Sequence, residues 1–390
     1  TITVDAGATF SVLAGGYFVR ANNTVTNNGI IEGASSTFTM RGAALINNDT
    51  IRPTFFAFDT TTSLSGTGIN SSADIIVNSS GNISLANNVT FSPSSVMTIV
   101  SGGILNPNAK TFNFNSETFR LNSGATVTNS GIFQTQNTVD LIIKSGSNFN
   151  VPLKVNTGTT ITYDDGSPYL AKFRGTITVD AGAVLNVRDG GYYTQANNSI
   201  TNNGSIAGNG SAFYMKGAIL TNNGSVSVSA LEFDSVTSIA GTGTYTSNTI
   251  LIGSTSNVTI TNNVTFSPLT SFTVLTGGVF NPGAKTFTFT SGTFVLYNGA
   301  VVSGSGPSAG TMKTQGNVNF DFRNGSVFNS AVNVNTGTLN AYADGSPYKA
   351  TFYGSISIDA GATLHTFDGG YFIQANSNVI NNGSITGNGS

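Results

Sequence analysis

The segment GGYFVRANNTVTNNGIIEG, residues 15–33, occurs three times in the chain with small changes. It returns as GGYYTQANNSITNNGSIAG at residues 190–208 and as GGYFIQANSNVINNGSITG at residues 369–387. Self-similarity at a fixed period is the signature of repeat architectures, in which each unit buries its apolar surface against its neighbours. The sequence therefore predicts a repeat array.

The long repeat has a nearly constant period. TITVDAG at residues 1–7 returns unchanged at residues 176–182, an offset of 175, and SISIDAG at residues 355–361 follows at an offset of 179. The four extra residues lie between Ala300 and Thr314, around GSGPSAG. Gly, Pro and Ser are typical of loops, so the insertion is interpreted as a longer loop.

Three segments follow from this period. Residues 1–175 and 176–354 are two full long repeats, and residues 355–390 begin a third. A solenoid is continuous, so we expect one continuous rod and not a set of separate domains. Neither end shows an atypical capping repeat, and we expect the sequence to be a fragment of a longer chain.

The composition excludes several classes of protein. Only 8% of the residues are charged, against roughly 25% in ordinary soluble domains, and the net charge of −2 argues against nucleic acid as a partner. The 27 Phe and 12 Tyr argue against disorder. Cysteine is absent, which excludes disulfides, thiol catalysis and cysteine-bound metals. No apolar run approaches the roughly 18 residues that span a membrane, so membrane attachment is expected only through regions outside this sequence.

Short segments that alternate polar and apolar residues predict strands, for example at Thr111–Phe114 and Thr286–Phe289. Turn signals rich in Asn and Gly recur between them about every 20 residues, although less regularly from Ile132 to Gly175. The chain is predicted to be all-β, a right-handed parallel β-helix (β-solenoid) with about 20 residues per coil. A string of β-sandwich domains is the alternative, and the subdivision of the long repeat by closely spaced turn signals favours the solenoid.

The most polar and aromatic loop is YDDGSPY, Tyr163–Tyr169, which returns as YADGSPY at Tyr342–Tyr348. Asp-Gly and Ser-Pro are turn signals, so a tight structural loop is one interpretation. Two tyrosines beside a carboxylate also resemble a sugar-stacking site. The candidate glycan or partner contacts are Tyr163, Asp165, Tyr169, Tyr342, Asp344 and Tyr348.

No catalytic, cofactor or metal site is predicted. Asp164 is replaced by Ala343 in the second copy, so a mechanism that needs two carboxylates is available only in the first. The repeated Asp-Ala-Gly segments at Asp5, Asp180 and Asp359 are interpreted as turns. One isolated carboxylate per repeat is a poor calcium site, because calcium takes six to eight oxygen ligands.

An aromatic pair follows two glycines in each long repeat, at Tyr17–Phe18, Tyr192–Tyr193 and Tyr371–Phe372. Strand alternation predicts that one ring of each pair points inward and stacks in the core. Exposed rings that recur along a rod would instead offer a contact surface for another filament or a glycan. His365, the only histidine, is expected at the surface.

The segments ITVDAGATF, ITVDAGAVLNV and TNNGSIAGNGS resemble the β-helical stalks of large bacterial surface proteins, such as autotransporter passengers and filamentous-haemagglutinin-like adhesins. The resemblance covers the whole sequence through its repeat pattern, its Asn-Gly turns and its low charge. It implies an exported, extended β-solenoid that builds a fibre or displays an adhesive tip. It assigns a role to no individual residue.

These observations predict a structural or adhesive extracellular repeat protein at the cell surface, which is not an enzyme and needs no cofactor. The expected partners are neighbouring copies or filaments of the same protein, with surface glycans as the alternative. The alternative function is a polysaccharide-binding or polysaccharide-processing β-helix, similar to a pectate lyase or a phage tailspike. Such enzymes gather acidic and basic residues on adjacent coils, and the sequence suggests no such cluster in both copies. An ice-binding face is disfavoured, because Thr-x-Thr is not sustained from coil to coil.

Overall fold

The computed structural model describes residues 1–304, 310–345 and 348–390. Over these residues the chain is all-β, without helices, and its parallel strands stack as a β-solenoid of about 18 turns with about 21 residues per coil. The predicted fold class is confirmed, with a coil slightly longer than expected. Most of the predicted insertion loop, residues 305–309, lies outside the described residues.

The chain divides into two compact units, Thr1–Asn197 and Asn198–Ser390. The strands of the first unit are β1 (Ile2–Val4), β2 (Thr9–Ser11), β3 (Phe18–Ala21), β4 (Val25–Asn27), β5 (Ile30–Met40), β6 (Ala44–Asn47), β7 (Thr50–Phe58), β8 (Thr61–Ser65), β9 (Ile69–Asn70), β10 (Asp74–Val77), β11 (Asn82–Leu85), β12 (Val89–Phe91), β13 (Val96–Ile99), β14 (Ile104–Asn106), β15 (Lys110–Phe114), β16 (Glu117–Leu121), β17 (Thr126–Val127), β18 (Gly131–Thr135), β19 (Val139–Ile143), β20 (Asn148–Phe149), β21 (Leu153–Val155), β22 (Thr159–Tyr163), β23 (Leu170–Phe173), β24 (Ile177–Val179), β25 (Val184–Val187) and β26 (Tyr193–Ala196).

The strands of the second unit have the same short lengths. They are β27 (Ile200–Asn202), β28 (Ser205–Met215), β29 (Ile219–Asn222), β30 (Ser225–Phe233), β31 (Thr237–Ala240), β32 (Thr244–Tyr245), β33 (Thr249–Ile252), β34 (Asn257–Ile260), β35 (Val264–Phe266), β36 (Ser271–Val274), β37 (Val279–Asn281), β38 (Thr286–Phe289), β39 (Thr293–Leu296), β40 (Val301–Val302), β41 (Thr311–Thr314), β42 (Val318–Phe322), β43 (Val327–Phe328), β44 (Ala331–Val334), β45 (Thr338–Tyr342), β46 (Lys349–Phe352), β47 (Ile356–Ile358), β48 (Thr363–Thr366), β49 (Phe372–Ala375), β50 (Val379–Asn381) and β51 (Ser384–Thr386).

Each coil of the first unit contributes one strand to each of three parallel columns, so that every strand pairs with the strand one coil away. Column one is β1, β4, β6, β8, β11, β14, β17, β20, β23 and β26. Column two is β2, β5, β7, β9, β12, β15, β18, β21 and β24. Column three is β3, β5, β7, β10, β13, β16, β19, β22 and β25, with the long strands β5 and β7 bending through two columns.

The long repeat is not a whole number of coils. Ile2–Val4 and Ile177–Val179 have the same sequence, yet the first lies in column one and the second in column two. The strand after β1 is β2, in column two. Counting along column two, β24 is eight coils beyond β2. The repeat therefore spans eight coils and one further strand, and equivalent residues of consecutive repeats fall on neighbouring columns.

The second unit shows the same shift by itself. Its segment Ile200–Asn202 recurs as Val379–Asn381 in the next long repeat. Eight pairings lead from β28, the strand that follows β27, to β50. The insertion in this repeat lengthens a connection and leaves the number of coils unchanged.

Buried phenylalanines from different columns fill the interior. Phe133 has no solvent-exposed surface, and its ring centroid lies 5.2 Å from that of Phe112 one coil away and 5.3 Å from that of Phe149 on column one. A further contact of 5.2 Å joins Phe149 to Phe173. Strand alternation directs these rings inward, as the period-two pattern predicts.

The corners of the coils are held by buried asparagine ladders. Asn27 donates its side-chain amide to the Oδ1 of Asn47 at 2.8 Å, and Asn47 donates to the Oδ1 of Asn70 at 3.3 Å. All three are at most 1% exposed. The stacked amides bond one another inside the core, where an unpaired polar group would be costly. In the described part of the chain the buried Oδ1 of Asn27, at the start of the ladder, accepts no hydrogen bond. At the adjoining turn a Cβ on Gly29 would overlap the backbone oxygen of Ala8, which explains glycine after the two asparagines.

Replacing Phe133 by Ala is expected to lower the free energy of unfolding by about 3–5 kcal/mol, because it leaves a cavity between several aromatic rings. Since each coil contacts only its neighbours, hydrogen exchange should accelerate in the coils that stack on β18 and stay unchanged further away. Loss of protection along the whole chain would contradict this local coupling.

Asn47→Ala and Asn48→Ala form a matched pair of variants. Asn48 is exposed and donates to Asn28 at 2.8 Å on the outer surface, beside the buried ladder. Removing the buried amide of Asn47 should cost about 1–3 kcal/mol, because it also strips partners from buried neighbours. The exposed substitution should stay within about 0.5 kcal/mol of the parent. Equal costs in chemical unfolding would show that burial of the ladder is not what stabilises it.

Candidate functional site

Three tyrosines of the first unit pack together, and we call them the first tyrosine cluster. Tyr163 is buried, at 5% exposed, whereas Tyr192 is half-buried and Tyr169 is exposed. Tyr163 ends β22, Tyr169 precedes β23 and Tyr192 precedes β26. The ring centroids of Tyr163 and Tyr192 are 5.7 Å apart, and those of Tyr169 and Tyr192 are 5.6 Å apart, both in edge-on geometry. Two segments treated separately in the sequence, the Asp-Gly-Ser-Pro-Tyr loop and the Gly-Gly aromatic segment, therefore form one surface.

The loop beneath this cluster is fixed by Asp164. Its side chain is 1% exposed, and its Oδ2 accepts the backbone N–H of Ser145 at 2.7 Å. Its Oδ1 accepts the backbone N–H of Gly166 at 2.9 Å. Both carboxylate oxygens are thus used in holding the turn, so Asp164 is a structural residue of the loop.

Asp165 instead forms ion pairs with two cations from earlier coils. Its carboxylate lies 2.6 Å from Arg120 and 2.8 Å from Lys144. Burial pushes its pKa upward, but the hydrogen bonds and charges of Lys144 and Arg120 outweigh that effect and lower the pKa from 3.8. The pairs anchor the loop to the column-three strands on which Tyr163 also lies.

Arg188 stacks against the cluster. Its guanidinium carbon lies 4.3 Å from the ring centroid of Tyr163 and 5.5 Å from that of Tyr192. The hydroxyl of Tyr163 donates to the Oδ2 of Asp140 at 3.2 Å. Burial and the Asp140 carboxylate raise the pKa of Tyr163, so the phenol stays protonated and keeps this bond at neutral pH.

A depression of about 350 Å³ adjoins Arg188. It is lined by Asp140, Ile161, Asn186, Arg188 and Asp189. Asp140 pairs in register with Ile161, and Ile161 with Asn186, so these three residues form an outward row over successive coils. The depression therefore offers carboxylate and amide groups on one wall and the guanidinium on another.

The second unit repeats the aromatic part of this arrangement, the second tyrosine cluster. The ring centroid of Tyr371 lies 6.2 Å from that of Tyr342 and 5.6 Å from that of Tyr348. Phe367 stands where the first unit has Arg188, and its ring packs 4.8 Å from Tyr342. The loop residues Ser346 and Pro347 lie outside the described residues.

Acidic residues of the second unit also differ from those of the first. Arg323 lies 2.9 Å from Asp321 and 2.8 Å from Asp344, and the Oδ1 of Asp321 accepts the backbone N–H of Asp344 at 3.1 Å. Burial raises the pKa of Asp321 above 3.8, although the N–H of Asp344 and the charge of Arg323 oppose this. The expectation that no acid-plus-base cluster occurs in both copies is therefore wrong, because stacking brings together residues that the sequence separates by a coil.

The six predicted contact residues thus fall into two groups of three, each beside a tyrosine from the Gly-Gly segment. From the sequence, Arg188 and Asp189 are expected to form a local surface pair and not to join the tyrosines, and sequence analysis missed Asp140, Arg323 and Asp321. The available signal was the coil length, because Tyr163 follows Asp140, and Asp344 follows Asp321, at a separation close to one coil. Residues one coil apart in sequence are neighbours in space.

Other sequence expectations have mixed outcomes. The Asp-Ala-Gly segments are turns: the backbone N–H of Ala8 donates to the carbonyl oxygen of Asp5 at 3.0 Å, and Gly7 has a φ of 78°. The predicted inward ring is wrong for all three aromatic pairs: Tyr17, Phe18 and Phe372 are exposed, and Tyr192, Tyr193 and Tyr371 are half-buried. The first tyrosine of each pair lies just before its strand, outside the strand alternation. His365 bonds Thr386 at 2.9 Å at the surface, as expected.

Among the described residues, no three His, Asp or Glu side chains are placed to hold a metal ion together. The same residues contain no helix long and apolar enough to cross a membrane. Comparison with protein-family models, with curated proteins and with solved structures finds no match to this chain.

Asp165 and Asp321 are expected to affect stability with opposite pH dependence. The lowered pKa of Asp165 contributes stability that is present above 3.8 and is lost as the pH falls through the folded-state pKa. The raised pKa of Asp321 contributes stability that is present below 3.8 and is lost as the pH rises through its folded-state pKa.

The opposite pH dependence is checked by measuring the free energy of unfolding in urea for Asp165→Asn, Asp321→Asn and the parent, from acid to neutral pH. Relative to the parent, Asp165→Asn should be less stable at neutral pH and approach the parent in acid. The stability of Asp321→Asn relative to the parent should be higher at neutral pH than in acid. Two difference curves of the same sign would contradict the assignment.

Proposed function

We propose that the chain is a structural segment of an extracellular fibre or adhesin stalk at the cell surface. The observation that carries this proposal is the one-column shift of the long repeat, seen separately in each unit. A repeat that adds eight coils and one strand continues the same parallel ladders, again with mostly apolar side chains buried. Such a repeat can be joined to itself without a new kind of interface, because solenoid stability depends on contacts between neighbouring coils.

The outer surface supports a structural role. Outward rows use short polar groups such as the surface pair Asn28 and Asn48, and only 8% of the chain is charged. Stacked like charges would repel at the strand spacing of about 4.8 Å, whereas amides can bond one another. Neighbouring filaments of the same protein are the proposed partners. No enzymatic step belongs to this proposal.

Polysaccharide binding is the second candidate function. It is favoured by the recurrence of a three-tyrosine cluster in both units, with Tyr169 and Tyr348 each 47% exposed. Tyrosine rings offer a flat apolar face and a polar hydroxyl, which suits ligands with both kinds of surface. This function is compatible with a stalk that carries contact sites along its length.

Electron microscopy of native cell-surface material tests the fibre proposal. Eight coils and one strand, at about 4.8 Å per coil, give a long repeat of about 40 Å. Because each repeat moves equivalent residues to the next of three columns, the same surface should return only after three repeats, about 120 Å by the same spacing. Thin fibres with both spacings are expected. Discrete particles of fixed length, or fibres without the shorter of the two spacings, would contradict the proposal.

A further inference from the structure

The first unit combines three features beside its tyrosine cluster that the second unit does not combine. Beside its tyrosine cluster it has a guanidinium held between rings, a depression of about 350 Å³ and two carboxylates on the wall of that depression, Asp140 and Asp189. In the second unit the residues equivalent to Arg188 and Asp140 are Phe367 and Asn319. Whatever the tyrosines do in both units, the polar part belongs to the first.

The donors and acceptors of the depression are complementary. In the described part of the chain, the guanidinium of Arg188 packs against the ring faces of Tyr163 and Tyr192. Stacking on rings leaves the five N–H donors of a guanidinium free for a ligand. Asp140 uses one oxygen for the hydroxyl of Tyr163 and keeps its second oxygen as an acceptor. The amide of Asn186 adds both a donor and an acceptor.

The size and position of these groups suit an extended ligand. Asp140 and Asn186 are two coils apart, about 10 Å along the stack. At the corner of the same coils the ring of Tyr169 is 47% exposed and is supported edge-on by Tyr192. A ligand lying along the stack would meet hydrogen-bonding groups in the depression and an aromatic ring at the corner.

The charges select among ligands. Two carboxylates flank one guanidinium, and the nearby cations Arg120 and Lys144 are already paired with Asp165. An anionic ligand would meet repulsion from Asp140 and Asp189. Neutral vicinal hydroxyls can donate to the carboxylates and accept from the guanidinium, which gives charge-assisted hydrogen bonds without a ligand charge.

We propose that the depression beside Arg188, together with the ring of Tyr169, is a binding site for a neutral polysaccharide, with one such site in this chain. Arg188, Asp140 and Asn186 bond sugar hydroxyls, and Tyr169 stacks on the apolar face of a sugar ring. The proposal rests on the second candidate function, polysaccharide binding, and is independent of fibre formation. It also distinguishes the two units, since the second has the rings but Phe367, Asn319 and His365 in place of Arg188, Asp140 and Asn186.

The test uses the full chain of 390 residues. Neutral hexasaccharides of β-1,4-linked glucose, mannose, galactose and xylose are titrated by calorimetry, with a galacturonate hexasaccharide as the charged comparison. Since the chain contains no tryptophan, its intrinsic fluorescence comes from tyrosine and reports stacking on the cluster. At least one neutral sugar should bind at one site per chain with a Kd of about 1 mM or lower.

Variants assign the site. Arg188→Ala should weaken binding by about tenfold or more, since a hydrogen bond from a charged group is lost. Tyr169→Ala should remove the fluorescence change and weaken binding in calorimetry, whereas Tyr169→Phe should lose the tyrosine signal but keep most of the affinity, because the stacking ring remains. Arg52→Ala, which breaks an exposed ion pair with Glu32 away from the site, is the control and should bind as the parent does. Far-ultraviolet circular dichroism and thermal unfolding confirm that each variant is folded.

The second unit provides a gain-of-function test. Phe367→Arg combined with Asn319→Asp and His365→Asn places the equivalents of Arg188, Asp140 and Asn186 beside the second tyrosine cluster, and the stoichiometry should rise from one to two. Conversely, Arg188→Phe, which copies the second unit, should abolish the site.

Each outcome has a separate meaning. If none of the five hexasaccharides, neutral or charged, binds at about 1 mM, both the site and the polysaccharide-binding function are wrong. If a sugar binds but Arg188→Ala and Tyr169→Ala bind it equally well, polysaccharide binding stands and this site is wrong. Tighter binding of the galacturonate hexasaccharide, weakened by salt, would overturn the preference for a neutral ligand.

Discussion

The structure depends on the register between one coil and the next. Parallel strands about 4.8 Å apart place every side chain next to the side chain at the same position one coil away. A residue type is therefore acceptable only if it can pack against its neighbour in the column. Phenylalanines meet this condition by stacking, as at Phe112 and Phe133, and buried asparagines by bonding amide to amide, as at Asn27 and Asn47. Like charges would repel at this spacing, and some charges are instead matched by the opposite sign on the neighbouring coil, as Arg52 is by Glu32.

The same constraint explains what the sequence could predict. Strand alternation, Asn-Gly turns and the short spacing of those turns are local or periodic signals, and they were enough for the solenoid. Gly29 shows why: its turn passes so close to the backbone of Ala8 that a side chain would not fit, and the glycine is visible in the sequence. Even the irregular stretch from Ile132 to Gly175 keeps one strand per column, from β18 to β23.

The candidate site was harder to predict, because its members come from different coils and from the turns between strands. Arg188 lies one coil after Tyr163, because Thr162 pairs with Val187 at the same offset, but this coil is longer than the average of about 21 residues. Tyr192 lies further on, just before the next strand, so its spacing from Tyr163 does not match a coil length. The tyrosines could be recognised because they recur in the next repeat. Arg188 could not be recognised in that way, since its equivalent is Phe367.

Because the long repeat ends one strand past a whole coil, the period of the buried core differs from the period of the surface loops. The core repeats with every coil, because each buried residue needs a matching neighbour in its own column. The surface loops repeat only after eight coils and one strand, and each recurring loop then lies on a different column. Substitutions at outward turns, such as Arg188 to Phe367, therefore leave the stacked core unchanged. A chain of this design can keep a continuously stacked core while each repeat presents a different polar surface beside the same three tyrosines.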